Sequence, residues 1–464
     1  MLSPLFRRAR KNENNDARSK QRGVTIALVA VSLVVIIGMA ALSIDVGTLY
    51  QAKAEAQRAA DAAALTAARA ISISGVTGDP NNSSGSWQLA CGTAGTATLA
   101  AIAVAQSPGN VIGRVPAANV KVTYGPGAGS NDCSTLAGPG STFSVNPTVN
   151  VYVQQANLPT FFARVFSLIT NGTSSNSGVS ATATAEVYNP SGSGSLASGM
   201  VPVQPRCVKP WVIPNIDPGA APNPLVNTAG AITRTGISPA GVIGESFNMN
   251  AACTNTTVGA CTLSAPPAYT AGVLQYVPAW VQNGSSAVPT CTAEGNWTAS
   301  DYQQAIAGCD QSTVYACGTP LGGEVDLTEN PVSPSAPGGD TATGVACLTN
   351  STNGPDTLAT GIYPFQITAG AGNPLSAQGI TGLITTSNSI ATIPIYDSGA
   401  GTPLAPPQTQ VTILGFLQVF VNQMNPDGSL KVTVMNVSGC SNAAAGNPTV
   451  AGTSPVPVRL ITPP

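Results

Sequence analysis

The 464 residues include only 18 Lys and Arg and 20 Asp and Glu, 8% charged in all, against roughly 25% in an average soluble domain, and no histidine. The missing imidazole excludes Ser-His-Asp and Cys-His nucleophile pairs, His-ligated zinc and His proton shuttles, which leaves few routes to catalysis. With 43% hydrophobic residues the chain can bury cores, and its length points to two or three domains.

The first 22 residues hold seven bases (Arg7, Arg8, Arg10, Lys11, Arg18, Lys20, Arg22) against Glu13 and Asp16, a balance of +5, while the remainder is −7. Directly after them, Gly23 to Ile44 runs without a charge. As a helix this stretch is about 33 Å long, enough for a bilayer core of roughly 30 Å. Gly23, Val24, Ile36, Ile37 and Ile44 mark the predicted span. The basic flank predicts a cytoplasmic N-terminus, with the rest of the chain exported. A nucleic-acid-binding tail is the competing reading of those bases, and their position against an apolar run argues for topology instead. A cleaved signal peptide is the competing reading of the span. Ala41-Leu42-Ser43 offers small residues for cleavage, but the apolar run is longer than the usual 7–15 residues.

Helix propensity continues through Asp45 to Ala70, where alanine dominates, proline is absent and Ile71 to Gly75 closes the run. One helix is predicted from Val24 to Ala70. Leu49, Ala52, Ala56, Ala59, Ala63 and Ala67 form a small-residue stripe at three- and four-residue spacing. Such a stripe permits close backbone approach, so it is expected to pack on another surface or on copies of itself; a plain juxtamembrane stalk is the alternative.

Residues 71–190 read as a small β-rich exported domain. Val120 to Tyr124 and Val149 to Val153 alternate as half-exposed strands, and Phe161 to Ile169 as a short core-packing helix. Residues 191–205, opening on Ser191-Gly192-Ser193-Gly194-Ser195, read as a flexible linker, and 206–464 as a cysteine-containing β-rich domain. There Val411 to Val421 and Leu430 to Val437 predict a hairpin around Asn425-Pro426-Asp427-Gly428. A single carboxylate at Asp427 falls short of a calcium loop.

All ten cysteines (Cys91, Cys133, Cys207, Cys253, Cys261, Cys291, Cys309, Cys317, Cys347, Cys440) follow the predicted span. An even number in an oxidising compartment predicts five disulfides, Cys253–Cys261 and Cys309–Cys317 being the short-range pairings. No Cys-x-x-Cys, phosphate loop or metal-ligand cluster occurs. Glu324 and Asp326, with Glu329 nearby, form the one acidic pair that could support carboxylate chemistry, and an exposed edge or loop is the plainer reading. No catalytic, cofactor-binding or metal-binding residue is expected, and no nucleic-acid partner.

The segment from Arg22 to Ala70 resembles the TadE/TadG-like proteins of the Tad (Flp) pilus-assembly system. The likeness lies in a base and glycine before the span, Asp45-Val46-Gly47 at its outer end, Leu49-Tyr50, and Ala60-Asp61-Ala62-Ala63-Ala64-Leu65. Residues 151–190 give a softer echo through a Pro-led aromatic segment and an Ala-Thr-Ala strand. Leu28 stands where a peptidase-processed pilin would carry Glu, which argues against processing at Gly23. No Asp-x-Ser-x-Ser motif of a von Willebrand A metal site is present. The resemblance implies an α+β protein: a long membrane-spanning helix, then a disulfide-stapled β-rich region lying in the periplasm or at the cell surface. It implies a bacterial inner-membrane location, other pilus-assembly or pilin-like subunits as partners, self-association, and a minor pilin-like or accessory role without catalysis. An anchored adhesin or binding protein outside any pilus is the alternative; the outer ligand is not readable.

Overall fold

The structure, a computed structural model, describes residues 6–158, 178–189, 203–252, 269–281, 297–308, 315, 339–398, 411–440 and 450–461, short interruptions apart. A long N-terminal helix followed by β-rich structure is what the sequence predicts. Helix α1 extends further than expected at both ends, Phe6–Ser74, 69 residues and about 100 Å. It stops where Gly75 takes φ 78°, a left-handed conformation that glycine adopts without steric cost.

The residues fall into two compact units. The first joins α1 through Ala59 with residues 106–119 and 153–181. Inside it, Glu55 Oε2 accepts the backbone N–H of Ile112 at 3.1 Å, and Lys53 Nζ donates to the carbonyl of Ser180. The second unit contains the rest of α1 and nearly all the β structure.

Sixteen strands are present among the described residues: β1 Val120–Tyr124, β2 Thr148–Gln155, β3 Val179–Val187, β4 Val203–Pro205, β5 Trp211–Pro214, β6 Ser246–Ala251, β7 Tyr269–Thr270, β8 Val273–Pro278, β9 Thr357–Ala359, β10 Gln366–Thr368, β11 Leu383–Ile384, β12 Ile390–Tyr396, β13 Ile413–Met424, β14 Leu430–Gly439, β15 Val450–Gly452 and β16 Val458–Ile461. The largest sheet has the order β5-β12-β13-β14-β6-β8-β7, with β5 also paired to β8. That last pairing closes six strands into a barrel. Strand β5 makes the closure by splitting its length: Trp211 and Val212 pair antiparallel with β8, and Ile213 and Pro214 pair parallel with β12. Closure leaves those six strands without a free edge, the usual route to aggregation. The predicted hairpin is β13–β14, with Gly428 at φ 83° and Asp427 Oδ1 accepting the N–H of Ser429 at 2.9 Å, a plain turn.

The second sheet, β1-β2-β3-β16, does not respect the expected linker. Its fourth strand comes from the far end of the chain, and β4 likewise pairs with β15. Residues 71–190 and 206–464 are thus joined by the pairing of β3 with β16. Serial reading of a chain misses this because pairing partners are set by burial of a shared face, not by sequence order. Residues 190–202, most of the predicted linker, lie outside the described residues, as does the predicted helix at Phe161 to Ile169.

A third, three-stranded sheet has the order β11-β10-β9. Near the barrel, the helix Asp301–Ala307 is capped at its start by Ser300 Oγ, which accepts the N–H of Gln303. At its other end Lys209 Nζ, just before β5, donates to the carbonyls of Ile306 (2.7 Å) and Gly308. Lys209 is buried, and desolvation lowers its pKa from 10.5 to about 7. Glu245 moves the opposite way, from 4.5 to about 7, through burial and then the adjacent Asp217 charge, against the pull of Arg234. Between pH 4.5 and 7 the folded state binds the extra Glu245 proton, so stability falls as pH rises. Between pH 7 and 10.5 the unfolded state binds the extra Lys209 proton, so stability rises with pH. Denaturant titrations across pH should show Glu245→Gln flattening the acid arm and Lys209→Met the alkaline arm; unchanged arms would contradict these assignments.

Candidate membrane-anchoring and packing helix

From Thr25 to Ile44 the residues of α1 are uncharged and almost all exposed, twelve of them large and apolar: Ile36 and Ile37 are 61% and 56% exposed and Ile44 55%. A soluble protein does not leave twelve such side chains on one helix to water. The span fits a bilayer core by length and composition. Gly23 and Val24 lie within α1, just ahead of this stretch. A Cβ added at Gly38 or Gly47 would meet nothing within 4 Å, so this chain makes no use of the space those glycines leave, although each costs about 1 kcal/mol in a helix.

The stretch Ser86–Ala105 is also apolar enough to qualify as a span, but its geometry excludes one. It is two helices, α2 Ser86–Cys91 and α3 Thr96–Ala105, broken at Gly92–Gly95. A ten-residue helix covers about 15 Å, half a bilayer. Helix α2 is also fixed in place, because Cys91 is disulfide-bonded to Cys133, Cα atoms 5.8 Å apart, and the Trp87 indole N–H donates to the carbonyl of Asp79 at 3.0 Å.

Beyond the apolar span the burial of α1 changes. Ala52 and Ala56 are buried, and so are Ala63 and Ala67, while Leu49 and Ala59 are half-buried. The buried positions drift round the helix to include Ala60, Ala64, Ala68, Ala70, Ile71 and Ile73. These alanines are filled by the protein's own atoms. Of the two expected uses of the stripe, packing on another surface or on copies of itself, the buried positions are taken up by other parts of this chain. The sequence pattern gave the right residues for close packing and was silent on which chain supplies the contact.

Past its last alanines, α1 and the turn that follows it are tied by hydrogen bonds to barrel strand β14 and to two loops. Asn436 on β14 donates to the carbonyl of Ser72 (3.2 Å) and to Thr77 Oγ1 (2.8 Å). Ser72 Oγ donates to the carbonyl of Val456 at 2.7 Å, and the N–H of Gly236 to the carbonyl of Gly78 at 2.6 Å. Asn436 and Ser72 are fully buried, where an unmade bond would cost about 1–3 kcal/mol. No sequence rule pointed to Asn436, since one buried amide in a strand has no signature before its partners are known.

Among the described residues no cysteine is free, and Cys207, Cys347 and Cys440 are disulfide-bonded as Cys91 and Cys133 are. Cys253, Cys261, Cys291, Cys309 and Cys317 lie outside the described residues, and with them both short-range pairings; Glu324, Asp326 and Glu329 also do. No cluster of three potential metal ligands occurs among the described residues.

The geometry defines a class: a protein with one long apolar helix suited to a single-pass anchor, whose far end is built into a β-rich, disulfide-bonded module. Residues 23–70 match the Tad family model, Flp pilus-assembly TadE/G-like. That match covers the apolar span and the alanine segment and ends four residues before α1 does. No curated protein and no solved structure matches the chain.

Proposed function

We propose that this is a TadG-like pilus-assembly component, held in the bacterial inner membrane by α1 with its basic N-terminus in the cytoplasm and its β-rich module in the periplasm or at the cell surface. It acts by contact, as a minor pilin-like or accessory subunit, and not by catalysis. The observation that carries the reading is the coincidence of the Tad match at residues 23–70 with the stretch in which α1 passes from an exposed apolar surface to a buried alanine one. The seven bases ahead of the span support the orientation. Contacts with other subunits then fall to the exposed apolar span and to the helical turn just beyond it, where Gly38 and Gly47, on opposite faces of α1, each leave room for another helix to come close.

The test separates assembly from folding. Gly38→Leu with Gly47→Leu adds side chains where nothing in this chain stands, so protein level and disulfides should stay as in wild type. The variant should fail to restore surface pili to a strain lacking the gene, as judged by electron microscopy. Normal piliation in the deletion strain itself would sink the reading.

A further inference from the structure

A cavity of about 250 Å³ lies where the last turn of α1 meets the loops after the helix Asp340–Thr349 and before β12, and Arg69 lines it. Arg69 is partly buried and, among the described residues, makes no hydrogen bond and no ion pair; burial lowers its pKa with no charged group offsetting the effect. A guanidinium half out of water with no counter-charge is unfavourable, and protein structures normally pair it.

The carboxylate that shares the cavity is already committed. Asp356 accepts the N–H of Gly370 at 2.8 Å, both oxygens take the Asn373 amide at 3.0 and 3.1 Å, and Ser387 Oγ donates at 2.5 Å. Around the same cavity, Thr386, Asn388 and Ser389 have side chains that enter no hydrogen bond among the described residues. One unpaired planar fork and three further polar side chains thus line a space the size of a small functional group.

We infer that this cavity is a binding site for a single carboxylate, gripped by Arg69 with Asn388 and Ser389 as further donors. The planar guanidinium matches a carboxylate bidentately. Asp356 on the cavity wall selects for a monoanion, since its charge opposes the second charge of a phosphate. The site is independent of the membrane reading, and a partner's acidic side chain or a free organic acid could supply the group.

The full-length chain in detergent micelles, titrated with ¹³C-acetate at pH 7 and followed by NMR, tests this. Saturable binding is expected, weakened roughly 30-fold or more in Arg69→Gln. Asn388→Asp, at an exposed position, should weaken it too by adding a repelling charge, and decides the matter should Arg69→Gln fail to fold. Tighter binding of a blocked Ala-Glu-Ala peptide than of acetate, with no binding of Ala-Gln-Ala, assigns the carboxylate to a protein; equal binding assigns it to a free acid. Absence of saturable binding, equal binding in the variants, or inorganic phosphate binding more tightly than acetate would overturn the proposal.

Discussion

Leucine at both Ala63 and Ala67 is expected to leave the β-rich module unfolded. Both alanines are fully buried on one face of α1, four residues apart. Each added isobutyl group has to displace packed atoms, at about 1–3 kcal/mol apiece and more when neighbouring sites share the same space. Against a total stability of roughly 5–15 kcal/mol, that consumes much of the margin. Limited proteolysis and thermal melting of the detergent-solubilised protein should show early cleavage and a lost transition. Gly38→Leu on the exposed face serves as the control, with an unchanged melt. A wild-type transition in the Ala63/Ala67 variant would mean that these alanines are not core after all. The same reasoning bears on how assembly can be probed. Enlarging Ala56, Ala59 and Ala63 together would report on folding, because two of the three are fully buried within the chain.

Arg459→Met should destabilise the protein by about 3–5 kcal/mol, the usual cost of stranding one charge of a buried pair. Glu186 on β3 is completely buried, and Arg459 Nε on β16 reaches its Oε2 at 3.1 Å while lying over the Tyr188 ring. Adding Glu186→Gln should recover much of the loss by removing the buried charge that has lost its guanidinium, a coupling that a double-mutant cycle measures directly. If Arg459→Met alone lay within about 0.5 kcal/mol of wild type, as a surface substitution does, the pair would not be what holds β16 in place.

The legible parts of this protein were those with a local cause. Twenty-two uncharged residues behind a basic tail announce a span, an alanine run free of proline announces a continuing helix, and alternating residues around Asp427-Gly428 announce a hairpin. Tad-like character is carried by the same local stretch. What stayed hidden depends on distant partners. Nothing about Trp211 to Pro214 tells that half of this four-residue strand pairs with β8 and half with β12, and so closes a barrel. Nothing in Val458 to Ile461 points back to β3. The Arg69 cavity was equally invisible: in sequence Arg69 is one of several charges along an alanine helix, and only the fold shows that it makes no ion pair among the described residues while Asp356, on the same cavity, is taken up by its neighbours.

The placement of β16 also governs the order of events in time. Glu186 and Arg459 stand 273 residues apart, so β3 waits for its neighbour through roughly 15–55 s of synthesis at ordinary rates. During that interval an open strand edge is available to any passing chain. The β1-β2-β3-β16 sheet can be completed only once Val458 to Ile461 have been made. A chain cut short before Val458 keeps α1, its disulfide at Cys91–Cys133 and every barrel strand, yet it would present β3 as an unpaired edge.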